Sequence, residues 1–372
     1  MNSDPRRSVL VIGGGVAGAS CAIALAQRGV RVQLVERATF PRNKVCGCCL
    51  GPLGVRALDT LGVLEQASVY GAPTSRWIGA FDGKRVELPM PDGLAISRLK
   101  LDPLLLEAAS AAGADVRERV SAKVVEIGEQ VQVELIELND GTTSRERVDC
   151  VVLATGLNAS GGSRFLPWEE TPSGPFGVSF LVSNNSASSV RPGTVYMACD
   201  QDGYVGVVEL RDGSVDVAAA LRCETSEVSA PAERVTRILE RSGLGFPNLE
   251  PFTPVLATPR LRRRRSAGQG PILAIGDAAG YVEPFTGEGM TWAMCSGIAA
   301  ARVIATEPAG DLGSIWRATL RQQLLPRQRL CHRVARALES RWKRRWAAQC
   351  LSTFPWLSRP VFSSLNRPAF GV

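Results

Sequence analysis

The sequence predicts an α/β fold in which a parallel sheet, assembled from separate stretches of chain, carries an inserted mixed β-sheet and a helical C-terminus. Three observations lead to this prediction: a glycine-rich turn after an apolar run near residue 10, a second apolar run that ends before Asp277, and turn-rich, strand-like runs between residues 165 and 260. Apolar runs that alternate with amphipathic helices are typical of parallel sheets, because a crossover helix joins parallel strands. The 372 residues are enough for such a unit with a second lobe.

The first segment of this sheet contains a glycine pattern that is typical of dinucleotide binding. The apolar run at residues 9–12 precedes Gly13-x-Gly15-x-x-Gly18, and the next apolar run ends at Glu36. The first glycine allows a tight turn, the second lets the backbone approach a pyrophosphate, and the third lets helix and strand pack closely. The helix N-terminus attracts the phosphates, and the acidic residue accepts hydrogen bonds from a ribose. We therefore predict a Rossmann-like site that contains Gly13, Gly15, Gly18, Glu36 and the adjacent Arg37.

The elements that follow alternate between helices, a hairpin and short strands. Leu53–Leu64 carries apolar residues along one helical stripe, and Leu99–Ala112 is a second amphipathic helix, which we expect to open at Asp102-Pro103. Between them, Asp82-Gly83 interrupts an alternating run and predicts a hairpin. The strands predicted next are short alternating strands within Val116–Asp149 and the buried strand Val151–Ala154.

A later segment supplies an aspartate and two more glycines. The predicted strand Pro271–Ile275 delivers Asp277 at its carboxyl end, and Gly287 and Gly289 lie at the start of a helix predicted over Gly287–Ala301. Glycines let bare backbone approach a ligand closely. Since ligands of open α/β sheets bind beyond the carboxyl ends of the strands, we expect these residues to share a site with the glycine turn.

Together these motifs resemble the FAD-dependent oxidoreductases of the glutathione-reductase-like superfamily, and within it the geranylgeranyl reductase family, with aromatic hydroxylases more distant. The resemblance covers most of residues 8–305 and also rests on Arg98 and on Ala154-Thr155-Gly156. It implies that FAD is the cofactor, that Asp277 contacts its ribityl or pyrophosphate oxygens, and that Arg98 reaches the flavin nucleotide. It further implies that the Gly287–Gly289 backbone faces the flavin ring, where the helix N-terminus would stabilise the anionic reduced flavin.

The chain is predicted to divide into two discontinuous domains and a tail. The FAD-binding domain of glutathione-reductase type comprises residues 1–72, 98–165 and 262–312, and the inserted substrate domain comprises residues 73–97 and 166–261. Residues 313–372 are the helical tail, which contains twelve basic residues and one acidic residue. The tail therefore carries a net charge of +11, and the remaining residues carry −4 of the total of +7.

The tail contains a predicted basic amphipathic helix at residues 324–349, in which Trp342 and Trp346 alternate with arginines. Such a helix fits an anionic membrane surface, because tryptophan lies among headgroups and arginine meets phosphates. The alternative is that its apolar face packs on the FAD-binding domain while the arginines are solvated. No nucleic-acid recognition motif accompanies this charge, so nucleic acid is not an expected partner. Because the first strand follows Ser8 directly, we expect a cytoplasmic protein, either soluble or peripheral at the inner face of a membrane.

Three features favour reduction over hydroxylation. The run from Phe40 to Gly47 is similar to a geranylgeranyl reductase segment that places a cysteine close to the isoalloxazine, here Cys46. Cys46 is thus the predicted catalytic residue, as a proton donor or as a group that tunes the flavin, with simple space filling as the alternative. Gly280-Tyr281 replaces the histidine that hydroxylases commonly carry, and Ala154-Thr155-Gly156 replaces their usual Ala-Asp-Gly. The scattered cysteines and single histidine predict no metal site.

We therefore predict an FAD-dependent oxidoreductase that reduces an unsaturated apolar or lipid-like metabolite by hydride transfer from the flavin, with NAD(P)H as a candidate electron donor. Gly203–Glu209 departs from the aromatic motif that lines the prenyl channel in geranylgeranyl reductases, so a different apolar or polyketide-like substrate also stays open. One alternative is an FAD-dependent monooxygenase of an aromatic or polyketide-like metabolite, and a second is a non-catalytic flavoprotein that docks at membranes. A halogenase is disfavoured because the sequence has no Trp-x-Trp-x-Ile-Pro segment.

Overall fold

The computed structural model describes residues 7–157, 164–170, 174–183, 189–222, 230–244, 246, 250–281, 287–307, 311–368 and 371–372. Its strands are β1 (Ser8–Ile12), β2 (Arg31–Glu36), β3 (Cys49–Leu50), β4 (Ala72–Phe81), β5 (Lys84–Ala95), β6 (Asp115–Glu118), β7 (Val120–Ile127), β8 (Val131–Glu137), β9 (Thr143–Val148), β10 (Cys150–Leu153), β11 (Glu169–Glu170), β12 (Phe176–Val182), β13 (Thr194–Cys199), β14 (Gly203–Glu209), β15 (Val215–Leu221), β16 (Leu256–Arg260), β17 (Arg263–Arg264), β18 (Gly268–Gln269), β19 (Ile272–Ala274) and β20 (Gly280–Tyr281). Its α-helices are α1 (Val16–Ala26), α2 (Pro52–Thr60), α3 (Leu64–Tyr70), α4 (Arg98–Ala111), α5 (Pro231–Ser242), α6 (Gly289–Thr306), α7 (Leu312–Gln323), α8 (Leu325–Glu339), α9 (Arg341–Thr353) and α10 (Arg359–Asn366).

The first sheet has six strands in the order β18-β19-β10-β1-β2-β6, and those from β19 to β6 run parallel. Val9 pairs with Val32 on one side and with Cys150 on the other. Strands β1 and β10 are apolar and fully buried, because α1 packs on one face and the β7-β8-β9 sheet packs on the opposite face. The parallel sheet aligns the carboxyl ends of β1, β2, β10 and β19 at one edge, as the alternating pattern predicted.

The second sheet has eight strands in the order β16-β12-β15-β14-β13-β4-β5-β3. Neighbouring strands run antiparallel except β13 and β4, which are parallel, so the sheet is mixed as predicted. The hairpin between β4 and β5 turns at Asp82-Gly83, where both residues have positive φ. At the other end of β5, Cys49 pairs with Ala95, which attaches the cysteine-containing loop to the edge of this sheet.

Four predicted helices differ from the observed ones in their bounds or continuity. The helix predicted over residues 53–64 ends at Thr60 as α2, and Leu64 begins a separate helix, α3, because the chain turns at Gly62 with φ +75°. Helix α6 begins at Gly289 and continues to Thr306. Pro103 lies inside α4 instead of opening it, since the Arg98–Asp102 ion pair closes the turn that precedes the proline. The fourth prediction, a single helix over residues 324–349, is interrupted at Ser340, which has an extended backbone between α8 and α9.

Helix α7 packs on the core of the first sheet, whereas α8 and α9 reach the second sheet, so the basic segment does not pack on the FAD-binding domain alone. Leu338 and Ala348 join a buried apolar cluster with Phe81, Leu88 and Met197 of the sheet. Arg344 belongs to the arginines that the sequence assigned either to membrane phosphates or to solvent, but it is only 1% exposed. Its guanidinium donates to both carboxylate oxygens of Asp82 at 3.1 Å and to the carbonyl oxygens of Leu338 and Glu339, which are the last residues of α8. One buried arginine thus ends α8 and fixes α9 to the β4–β5 hairpin. In the described ranges, no helix has the length and apolar content needed to cross a bilayer.

Candidate functional site

The glycine turn after β1 leaves no room for side chains at two positions. Gly13 has φ +112°, and a Cβ there would lie 2.5 Å from the carbonyl oxygen of Ala154. A Cβ on Gly18 would lie 1.9 Å from the carbonyl oxygen of Gly13. Helix α1 begins at Val16 without a side-chain cap, so its first N–H groups are free to face a ligand. The turn therefore has the form that pyrophosphate binding requires.

Glu36 lies at the carboxyl end of β2, and backbone N–H groups fix its carboxylate by hydrogen bonds. Its two carboxylate oxygens accept hydrogen bonds from the N–H groups of Gly14 at 2.8 Å and Ala38 at 2.9 Å. The guanidinium of Arg42 lies 3.6 Å from the same carboxylate, and the neighbouring Arg37 is exposed at the rim of the cavity described below. These contacts position Glu36 beside the glycine turn, where the ribose is expected.

Two cations lie over Gly15. Measured from the position that a Cβ on Gly15 would take, the Nζ of Lys44 is 3.0 Å away and an Nη of Arg98 is 3.6 Å away. Arg98 is held by a two-pronged ion pair with the fully buried Asp102, at 2.6 and 2.7 Å. Burial and the charge of Arg98 lower the pKa of Lys44 to about 8. An anion bound over Gly15 would offset this repulsion, so the donor set fits the pyrophosphate of a dinucleotide.

Asp277 is the second residue of a short 3₁₀ turn, Gly276–Ala279, that follows β19 at the same edge of the parallel sheet. Burial raises the pKa of its carboxyl to about 6, and the charges of Arg98 and Lys44 act in the opposite direction. Gly276, just before it, donates its N–H to the hydroxyl of Ser296 on α6 at 2.9 Å. Asp277 therefore faces the same cations as the glycine turn, as its place after a buried strand predicted.

The predicted catalytic cysteine lies beside other thiols and an acid. The Sγ of Cys46 accepts a hydrogen bond from the N–H of Cys48 at 3.3 Å. The hydrogen bond from the side chain of Cys48 lowers the pKa of Cys46 to about 7. Asp216 on β15 is buried beside these thiols, and burial raises the pKa of its carboxyl. All cysteines that the structure describes are free thiols, and no group of three potential metal ligands occurs among the described residues. Cys223 lies outside them.

The second glycine pair lies opposite the cysteine loop. Gly287 has φ +75°, and a Cβ there would lie 3.6 Å from the Cβ of Cys49. Gly289 is the first residue of α6 and lines the cavity, and this helix begins without a side-chain cap. The loop at residues 282–286, part of the same sequence motif, lies outside the described residues.

A cavity of about 800 Å³ connects these groups with the second sheet. Every predicted site residue except Gly18 lines it: Gly13, Gly15, Glu36, Arg37, Cys46, Arg98, Asp277, Gly287 and Gly289. Beyond them the walls are mainly apolar. The sheet contributes Trp77, Phe81, Leu88, Met90, Val195, Met197, Tyr204 and Val207, and the C-terminal helices contribute Val334, Leu338, Leu351, Val361 and Phe362.

Sequence reasoning missed three parts of this cavity. Lys44 lies within the Phe40–Gly47 run but has no regular spacing to mark it. Glu288 lies between Gly287 and Gly289, and the sequence pattern indicated a role only for the backbone of these two glycines. The tail forms one wall of the cavity, and the apolar stripe of α8 was the available signal for packing.

Comparison with proteins of known sequence places the chain among flavoproteins. The FAD-binding domain family matches residues 6–314. The menaquinone reductase of Mycolicibacterium smegmatis is 29% identical over 347 residues, which cover 85% of this chain and 81% of the relative. The 2-heptyl-3-hydroxy-4(1H)-quinolone synthase of Pseudomonas aeruginosa is 26% identical over 328 residues, which cover 82% of each chain.

Solved structures share the fold at low identity. The p-nitrophenol 4-monooxygenase of Pseudomonas putida superimposes with a TM-score of 0.78 at 16% identity, covering 98% of this chain and 100% of the other. A halogenase in complex with FAD gives a TM-score of 0.77 at 15% identity, covering 98% and 87% of the two chains. Because the family match spans most of the chain and includes the glycine turn and the Asp277 segment, this protein belongs to the FAD-binding-domain family of flavin-dependent oxidoreductases.

Proposed function

We propose that the protein is an FAD-dependent reductase of an unsaturated, lipid-like or quinone-type metabolite. The observation that carries this proposal is the apolar cavity, which begins at the dinucleotide motifs and continues between the second sheet and the C-terminal helices. Ligand pockets commonly measure about 300–1,000 Å³ and combine apolar walls with a few polar groups. The similarity to a menaquinone reductase, and the resemblance of Phe40–Gly47 to geranylgeranyl reductases, support the same reductive chemistry.

In this proposal the residues of the chain bind and orient, and the cofactor carries the electrons. FAD, when bound, transfers two electrons as a hydride. Lys44 and Arg98 would hold the pyrophosphate of this cofactor, and Glu36 would accept hydrogen bonds from its ribose hydroxyls. Helix α6 directs its positive end toward the cavity, where it favours negative charge. Cys46 faces the same cavity, where we propose that it tunes the flavin or carries a proton. The proposed donor of electrons to the flavin is NAD(P)H.

The test blocks the substrate part of the cavity with a larger side chain while leaving the cofactor site unchanged. Met197 lines the apolar part of the cavity, so Met197→Trp should fill it while leaving FAD content and flavin reduction by NADPH unchanged. Reoxidation of the flavin by menadione, a naphthoquinone, should then slow by at least about tenfold, since access to the site is blocked. Val69→Trp, at a 63% exposed position, serves as the matched control. Unchanged reoxidation in Met197→Trp would contradict the proposed substrate site.

The second candidate function is monooxygenation. The observation that favours it is the similarity to the Pseudomonas quinolone synthase over 82% of the chain. In this case the reduced flavin would react with O2, and an aromatic or polyketide-like molecule would occupy the same cavity. A hydroxylated product that forms only in air would establish this function in place of the reductase. Bound FAD that NADPH reduces neither alone nor with substrate would instead support a non-catalytic flavoprotein.

We further propose that the tail docks the protein on an anionic lipid surface. Of the ten exposed large apolar side chains in the described part of the chain, five fall between residues 342 and 357: Trp342, Trp346, Phe354, Trp356 and Leu357. Arg341, Lys343 and Arg345 are exposed on the same helix as the first two. Leu357 also lines the cavity, so a lipid-like substrate would enter next to this surface. Tryptophan and basic residues together suit the headgroup region.

Vesicle flotation tests this surface with the intact chain. The holoenzyme should float with phosphatidylglycerol vesicles and remain free with phosphatidylcholine vesicles, because attraction to the tail depends on lipid charge. The double variant Trp342→Ser/Trp346→Ser should lose binding, whereas Phe252→Ser, at a 75% exposed site outside the tail, should retain it. Equal flotation of both variants would refute the proposed surface.

A further inference from the structure

The side-chain oxygens of Glu288 and Asn366 both lie beside Gly51 on the cavity wall. Glu288 is 5% exposed and lines the cavity between the two glycines at the start of α6. A Cβ on Gly51 would lie 2.7 Å from the Oε1 of Glu288 and 3.2 Å from the Oδ1 of Asn366. Among the residues that the structure describes, neither the Oε2 of Glu288 nor the Oδ1 of Asn366 has a hydrogen-bond partner. A carboxylate oxygen and an amide oxygen thus lie buried on this wall without a hydrogen-bond partner, and the Thr291 hydroxyl is the donor nearest to the Glu288 carboxyl.

The orientation of Asn366 is fixed by its other contacts. Its side-chain Nδ2 donates to the backbone carbonyl oxygen of Phe362 at 2.9 Å, and its backbone carbonyl oxygen accepts from Arg56 at 2.8 Å. The Oδ1 is consequently the atom that faces Gly51 and Glu288. A buried acceptor without a partner is costly, so these oxygens call for a donor, either a proton on the Glu288 carboxyl or a donor group of a ligand.

The surroundings favour a proton on Glu288. Burial raises the pKa of Glu288 to about 7, while the Thr291 hydroxyl and the charge of Arg327 act in the opposite direction. The other titratable groups around it are Cys49, Cys295 and Arg56. Burial raises the pKa of both thiols, so they stay neutral near pH 7. A buried carboxyl that is kept neutral can donate a hydrogen bond or a proton at neutral pH.

We propose that Glu288 is the acid of the substrate cavity and delivers a proton to a carbonyl oxygen of the substrate. This inference rests on the proposed reductase function and narrows its substrate class to quinones and enones, which have such an oxygen. A two-electron reduction of a quinone adds one hydride and one proton. The hydride comes from the reduced cofactor, and Glu288 supplies the proton to the oxygen and becomes a carboxylate. Water at the cavity mouth then returns a proton to Glu288, and Asn366 accepts the hydrogen bond of the reprotonated acid.

The experiment follows the oxidative half-reaction of the holoenzyme without O2. Protein whose flavin has been reduced chemically is mixed with menadione across pH 5–9. In the wild type, reoxidation should slow as pH rises through about 7, because Glu288 loses its proton there. In Glu288→Gln it should be at least about 10²-fold slower at pH 6, the factor typical of a lost general acid. Any dependence on pH that remains in this variant belongs to other groups of the cavity, such as the Cys46 thiol, whose pKa is about 7. Glu288→Asp keeps an acid and should restore both rate and pH dependence in part.

A second measurement determines the protonation state of Glu288 without following the reaction. The infrared difference between wild type and Glu288→Gln should contain the band of a neutral carboxylic acid at pH 6, and this band should disappear as pH rises through about 7. Glu307→Gln, at the opposite end of α6, is the matched control and should match the wild type in both measurements.

The outcomes separate the two proposals. If wild type and Glu288→Gln reduce menadione equally fast with the same pH profile, Glu288 is not the acid, while the reductase function stands. If the infrared difference shows a carboxylate at pH 6, the proposal is equally overturned. If the wild type transfers no electrons to menadione, the reductase function fails and the role of Glu288 in it fails too.

Discussion

The contact between Arg344 and Asp82 leads to a prediction about the wall of the cavity. Arg344 is buried on α9, and its guanidinium joins the β4–β5 hairpin to the end of α8 through four hydrogen bonds of 2.8–3.1 Å. Arg344→Met keeps most of the side-chain volume and removes the charge. Asp82 and the two carbonyl oxygens then lose their donor, so we expect α8 and α9 to detach more often from the second sheet.

The size of the effect follows from the burial of the pair. Removing one partner of a buried, hydrogen-bonded ion pair costs about 3–5 kcal/mol. The Asp82 side chain keeps 15% of its surface exposed, so water can solvate it in part, and the lower end of this range applies. A loss of about 3 kcal/mol corresponds to a shift of about 10²-fold in the docking equilibrium.

Hydrogen exchange of the intact protein measures this equilibrium. Amides of α8 and α9 should exchange about 10²-fold faster in Arg344→Met, whereas amides of β1 and α1 should keep their protection, because opening is local. Arg345→Met removes a neighbouring exposed charge and should leave all rates unchanged. Unchanged exchange in α8 and α9 of Arg344→Met would refute the reasoning, as would an equal increase in β1.

Three further predictions concern the cofactor site. Gly13→Ala should purify without FAD absorbance, because its Cβ would meet the Ala154 carbonyl at 2.5 Å; Gly29→Ala, also at positive φ but with open space around it, should retain FAD. Lys44→Met should raise the Kd for FAD at least about tenfold, as titrated by flavin fluorescence, and should weaken its salt dependence; an unchanged Kd would remove Lys44 from the site. In the apoprotein, Lys44 titrates at about 8 instead of 10.5, so the folded state binds this proton less tightly than the unfolded chain. The free energy of unfolding of the wild type should therefore rise between pH 8 and 10.5 relative to that of Lys44→Met. Parallel plots of this free energy against pH for the two proteins would contradict the prediction.

The parts of the fold that the sequence predicted are set by local patterns. The turn from Gly13 to Gly18 depends on φ values and close approaches that only glycine permits, so residue identity alone indicates it. The hairpin at Asp82-Gly83 is similarly local, because two positive φ values need residues of this kind. Pro103 shows the limit of local rules, since the ion pair between Arg98 and Asp102 supports a helical turn before the proline.

The parts that escaped prediction depend on contacts between distant segments. Arg344 was expected to meet either membrane phosphates or solvent, because nothing near it in sequence reveals Asp82, which lies 262 residues away. Lys44 reaches Gly15 through an irregular loop that has no periodicity to interpret. The meeting of Glu288 and Asn366 likewise follows from the path of the tail across the cavity, and no helical or strand pattern encodes that path.

The visible spectrum of the purified protein, recorded without O2, tests the central claim most directly. The account predicts bound FAD whose absorbance is bleached by NADPH, recovers quickly with menadione and recovers slowly when air is admitted instead. A flavin that menadione leaves reduced, but that air reoxidises quickly with formation of a hydroxylated product, would contradict the reductase. A colourless protein that cannot take up FAD would contradict the whole account.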